Sequence, residues 1–102
     1  MIATDARLTK LQAQRLAVVG HDGLARAINP VHTMSDGDTL FTLATGAHAE
    51  HPGMMVLATM AAEAVARATV RAVRAARTLT TAEGLHLPGW ADMAGEPAGT
   101  GA

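Results

Sequence analysis

The sequence predicts a mixed α/β (α+β) chain in the order strand, helix, strand, helix and tail, and three local signals carry that reading. Thr9 and Gln12 have the spacing of a capping box ahead of an amphipathic stretch. Residues 39–45, TLFTLAT, are rich in strand-forming side chains and carry no charge. From Met54 to about Arg77, apolar side chains recur at helical spacing with arginines on the other side.

Each element follows from its own residues. Met1 to Thr4 is short, partly β-branched and soon followed by a helix signal, so it reads as the end of a strand. A helix then begins at Lys10, where the Thr9 hydroxyl can accept a backbone N–H and Gln12 can reach back. Ala13, Leu16, Ala17, Gly20, Leu24, Ala27 and Ile28 share one stripe of it, with Arg15, Asp22 and Arg26 on the other side. Leu11 and Val18 lie off the stripe, which predicts partial cover on a second side. Gly20 and Gly23 each cost the helix about 1 kcal/mol relative to alanine, a sign that another backbone comes close. Asn29-Pro30 ends the helix, because proline pushes its predecessor out of the α region.

With Leu40, Thr42 and Ala44 on one face and Phe41, Leu43 and Thr45 on the other, the second strand, 39–45, reads as buried on both faces. Gly46 to Gly53 reads as a loop. The second helix, about 36 Å long at 1.5 Å per residue, carries Met54, Ala58, Ala61, Val65, Ala68, Thr69, Ala72 and Val73 on its apolar face, opposite Glu63, Arg67, Arg71 and Arg74. After Thr78 no periodicity remains; residues 79–102 read as an irregular tail with a disordered GEPAGTGA end. A strand buried on both faces needs neighbours that two strands and two helices do not supply, so the chain reads as part of a larger fold.

Composition excludes several functions. The 102 residues allow one core at most. Eight Lys plus Arg against 9 Asp plus Glu give a net charge of −1, so no strong field favours nucleic acid or an anionic membrane. With no cysteine there is no disulfide, thiolate nucleophile or cysteine-ligated metal site. A hydrophobic fraction of 49% with only Phe41 and Trp90 aromatic predicts a closely packed core of aliphatics and alanine. The longest uncharged apolar stretch, 54–62, is too short to span a bilayer. MIATDARLTK has no basic segment followed by an apolar core, so no signal peptide is expected, and a cytoplasmic location is.

The densest polar cluster is HTMSDGD, residues 32–38. Asp36 and Asp38, one glycine apart, can point to the same side of an extended segment, where repulsion lets a carboxylate pair share a proton and do acid–base work. The alternative is a turn in which Asp36-Gly37 supplies a favourable dipeptide. A calcium loop is excluded because the later acidic ligands and closing glutamate are missing. His48, Glu50 and His51 could be drawn as a metal site, but no third histidine or cysteine stands at familiar spacing, and a solvated loop is the better reading. His21 beside Asp22 reads as a surface pair. The arginines at 67, 71, 74 and 77 suit the helix macrodipole, and Met54, Met55 and Met60 suit core filling. Ser35, His32 and Asp38 crowd one short turn with no nucleophile-elbow motif, so a serine triad is rejected. No metal or cofactor is expected.

Residues 3–46, ATDARLTKLQAQRLAVVGHDGLARAINPVHTMSDGDTLFTLATG, resemble the small-subunit region of the P1 peptidases, peptidase family S58, which include the L-aminopeptidase/D-esterases and the nylon-oligomer hydrolases. The combination of HDGLARAI, PVHT and DGDTLF carries the resemblance. It implies that residues 1–78 are part of an α-β-β-α layered, N-terminal-nucleophile-like hydrolase, made as a precursor that cleaves itself into a large and a small subunit and then oligomerises. In such enzymes a new N-terminal Thr or Ser attacks an amide or ester, with its freed α-amine as the nearby base. The DGD motif of the nylon-oligomer branch implies a supporting role for Asp36 and Asp38. The resemblance places the nucleophile in an N-T-T-like segment ahead of the strand that ends in ATDA, and a lysine and an asparagine of the site in the large subunit. The chain is therefore expected to be inactive alone, with the large subunit or a homologous chain as partner and a peptide or other amide as substrate. A non-catalytic oligomerising remnant of the family is the alternative.

Overall fold

A computed structural model describes residues 1–94; the GEPAGTGA end, 95–102, lies outside the described residues. The elements are β1 (Ile2–Ala6), α1 (Lys10–Ala27), β2 (Thr42–His48), α2 (Met54–Ala75), β3 (Leu79–Thr80), β4 (His86–Leu87) and α3 (Trp90–Ala94). They fall into two compact units, Met1–Arg67 and the part from Ala68 onward.

In the first unit the capping box forms as the sequence predicts. The Gln12 N–H donates to Thr9 Oγ1 at 3.2 Å, and the Thr9 N–H donates to Gln12 Oε1 at 2.9 Å, so two N–H groups that the first turn leaves orphaned find partners. Ile28, extended, ends α1. The predicted stripe faces inward: Leu16, Gly20 and Leu24 are buried, with Gly23 beside them. Gly23 is where the second helix comes close, since a Cβ there would collide with the Ala62 carbonyl oxygen and come within 2.9 Å of Val65 Cβ. Leu16 is the largest fully buried side chain, and Ala6, Leu24, Ala61, Ala62 and Val65 complete a core of small aliphatics. Leu11 and Val18, expected to be partly covered, are exposed among the described residues.

β1 and β2 pair in parallel, with Ile2 opposite Thr42, Ala3 opposite Leu43 and Thr4 opposite Ala44. Two backbone bonds bracket the ladder, Ile2 N–H to Phe41 C=O and Arg7 N–H to His48 C=O, both at 2.8 Å. Because β1 runs on to Ala6, β2 lies three residues later than the 39–45 expected from composition and takes in the first three residues, 46–48, of the predicted loop. Between the Thr4–Ala44 and Ala6–His48 pairs the register shifts, and Gly46, at φ 74°, supplies the left-handed residue such a bulge requires. Burial on both faces is not observed: Leu43 is 53% and Phe41 69% exposed. Thr42, Ala44 and Gly46 are the less exposed set, while Leu43, Thr45 and Ala47 are open.

In the second unit, residues read as irregular form a hairpin and a short helix. Leu79 pairs with Leu87 and Thr80 with His86 in antiparallel fashion. The turn is closed by Thr81 N–H to Leu85 C=O at 2.9 Å and by Leu85 N–H to Thr81 Oγ1 at 3.2 Å. α3 is tied back by Ala91 N–H to Ala76 C=O at 3.1 Å, Gly89 N–H to Thr78 Oγ1 at 3.1 Å and Thr78 N–H to Asp92 Oδ2 at 2.6 Å. Two-residue strands and bonds between residues 11 to 15 positions apart leave no periodic trace, which is why the sequence pattern missed them.

The Thr78 N–H, then the Thr78 hydroxyl, hold the Asp92 carboxyl below its ordinary value; burial opposes them, and Arg77, 2.9 Å away, adds to the lowering. A depressed carboxylate stabilises the fold above its unfolded pKa of about 3.9 and loses that contribution as pH falls through the folded value. Acid titration below that point, followed by Trp90 fluorescence, is therefore expected to show a transition in the native chain that is absent in Asp92→Asn.

No helix among the described residues is long and apolar enough to cross a membrane.

Candidate functional site

Asp36 and Asp38 lie on the 28–41 connection between α1 and β2, and both are exposed. The connection leaves α1 through a cis Asn29-Pro30 bond and turns at His32, whose φ of 55° is left-handed. The His32 ring packs on His21 of α1 with centroids 4.9 Å apart and planes tilted by 57°. His21 thus makes no surface pair with Asp22; its Nδ1 is buried and has no hydrogen-bond partner.

Thr33 closes the next turn. Its hydroxyl accepts the Asp36 N–H at 3.0 Å and donates to the Asp36 carbonyl at 2.9 Å. Neither the Asp36 nor the Asp38 carboxylate takes a hydrogen bond or ion pair from the described residues, so their oxygens stay free for a donor that arrives. The Ser35–His32–Asp38 triad rejected from the sequence finds no support, because the His32 ring is turned to His21.

The other histidines separate. His48 ends β2 with Nε2 3.3 Å from Asp5 Oδ2, while His51 Nδ1 accepts the Gly53 N–H at 3.1 Å within its own loop. Among the described residues no three His, Cys, Asp or Glu side chains group as a metal site. Asp5 was not visible as a partner for His48, since only the parallel register places the two together. The arginines are partly spent on structure: Arg67 meets Glu63 at 2.7 Å, and Arg77 meets Asp92. Thr4, the hydroxyl of β1, accepts the Ala6 N–H at 3.2 Å, and its own nitrogen is a peptide nitrogen.

The sequence is similar to uncharacterized aminopeptidases of mycobacteria. Those of Mycobacterium tuberculosis (strain H37Rv) and Mycobacterium bovis are each 51% identical over 63 residues, 62% of this chain and 18% of theirs. That of Mycobacterium leprae is 57% identical over 47 residues, 46% of this chain and 13% of its own. The chain thus spans less than a fifth of the length of these relatives. The family model of peptidase family S58 matches residues 1–87, through the acidic loop, both helices and the β3–β4 hairpin. With a match over that much of its length, the chain belongs to peptidase family S58.

Proposed function

We propose that this chain is a small-subunit portion of a P1-type hydrolase that cleaves amides or esters, and that Asp36 and Asp38 serve its N-terminal Thr or Ser nucleophile. One observation supports the reading most: within the family-matched segment the two DGD carboxylates face solvent, unpartnered, on a loop that Thr33 closes by hydrogen bonds. A hydroxyl is a weak nucleophile until a base removes its proton. The α-amine freed by autocleavage can be that base, and it becomes an ammonium as it takes the proton. Carboxylates beside it orient the N–H groups and balance the charge, through charge-assisted bonds about twice as strong as neutral ones. The uncovered face of β1 and β2 leaves room for the large subunit, which would bring the rest of the site, and the pairs would assemble into oligomers.

The 102-residue chain by itself is expected to give no turnover of aminoacyl p-nitroanilides or 6-aminohexanoate oligomers, because Thr4 has no free amine beside it. In the assembled hydrolase, Asp36→Asn and Asp38→Asn should each lower kcat roughly a hundredfold, the lower end of the range for acid–base support. Undiminished kcat in both variants would refute the assigned role. Turnover by the isolated chain would refute the need for a partner, and an inactive assembly would favour a non-catalytic, oligomerising member.

A further inference from the structure

We propose that Thr33, seated by the packing of His32 on His21, is a positioning residue that sets the backbone of Asp36. The inference rests on the role given to Asp36 above. A left-handed residue other than glycine is strained and persists only where its surroundings hold it. At His32 the ring contact with His21 does so from the helix side. His21, with a buried and unpartnered Nδ1, is held there by packing rather than by a hydrogen bond through that atom.

The step from His32 to Asp36 runs through one hydroxyl. Thr33 Oγ1 uses its acceptor on the Asp36 N–H and its donor on the Asp36 carbonyl, so it grips both backbone groups of that residue and leaves the carboxylate alone. The loop supplies little other restraint. Asp36, Gly37 and Asp38 are all exposed, and the space where a Gly37 side chain would sit is empty to 4 Å. Ordering an exposed backbone costs conformational entropy at every residue. A catalytic carboxylate on such a loop acts efficiently only if that cost is met before the substrate arrives. Thr33 meets it for Asp36 without competing for the oxygens that would face the ammonium group.

The test uses the assembled hydrolase that carries this chain. Thr33→Val, and Thr33→Ala as a second variant, should lower kcat about tenfold with KM unchanged, since ground-state binding of substrate does not involve this loop in the proposal. Thr33→Ser, which keeps the hydroxyl, should restore kcat. Hydrogen exchange of the Asp36 amide should quicken about tenfold in Thr33→Val and not in Thr33→Ser. His32→Phe, which keeps a ring against His21, should exchange slowly like the native protein, and His32→Ala should not. Native kcat in Thr33→Val alongside a slow Asp36→Asn overturns the positioning role and leaves the role of Asp36 standing. A silent Asp36→Asn removes the catalytic reading instead, and the exchange rates then still decide whether Thr33 holds the loop. Loss of activity that Thr33→Ser fails to restore also overturns the proposal.

Discussion

Gly23→Ala is expected to destabilise the unit Met1–Arg67 by roughly 2 to 3 kcal/mol, a large part of what so small a core supplies. The new Cβ would collide with the Ala62 carbonyl oxygen, and it would also lie 2.9 Å from Val65 Cβ and 3.0 Å from Ala66 N. Two of those three atoms are backbone of α2, so no rotamer change relieves the contact and the helices must separate. Alanine would return about 1 kcal/mol of helix propensity, which the collision outweighs. Gly20→Ala is the control. Its nearest contacts, at 2.7 and 2.9 Å, are the side-chain ends of Ile2 and Leu40, which can shift, so the same propensity gain should leave the net change near zero. Urea unfolding followed by far-ultraviolet circular dichroism compares the two. Equal midpoints for Gly20→Ala and Gly23→Ala would show that the backbone approach at Gly23 is not the constraint. Trimming Val65 to alanine in the Gly23→Ala background should restore little, because the carbonyl stays.

Leu16→Ala should cost about 3 kcal/mol in the same measurement, within the range for truncating a buried leucine. Leu16 is 1% exposed and is the largest side chain fully inside. The cost of such a truncation depends on how far the surroundings can collapse into the space. Here much of the core is alanine, at Ala6, Ala61 and Ala62, and an alanine has no side-chain torsion with which to fill a void. Leu16→Met, nearly conserving volume, should cost less than about 1.5 kcal/mol. A Leu16→Ala loss no greater than that of Leu16→Met would show that the core is already loose at this point.

Much of the helical architecture was legible because its causes are local. Thr9 and Gln12 announce the start of α1 three residues apart, the stripe through Leu16, Gly20 and Leu24 names its inward face, and the glycines announce a close helix crossing. Where the cause was distant, the reading slipped. β2 is placed by its pairing with Ile2 to Ala6, so its span moved three residues from the one its own side chains favoured. The hairpin and α3 depend on Asp92 reaching Thr78 and Gly89 reaching Thr78 Oγ1, bonds that no window of periodicity contains.

The candidate site divides along the same line. The motif placed Asp36 and Asp38 in the acidic loop, and family membership over residues 1–87 agrees with the resemblance those residues carried. The motif did not reveal the supporting contacts. His21 and His32 are 11 positions apart and meet only because the chain leaves α1 and turns back on it at His32.

By itself the sequence determined the two long helices, the inward face of α1, the alanine-rich core and the family, whereas on α2 only Ala61 and Val65 of the predicted face are buried, and Ala68, Ala72 and Val73, like Met55 and Met60, are exposed. These rest on spacings of one to four residues and on a run of matched motifs, which a linear reading contains in full. Tertiary structure decided the strand register, the bulge at Gly46, the folding of residues 79–94 and the contact of His32 with His21. Each of those is settled by which distant backbone or ring lies opposite, and that is known only once the chain has closed on itself.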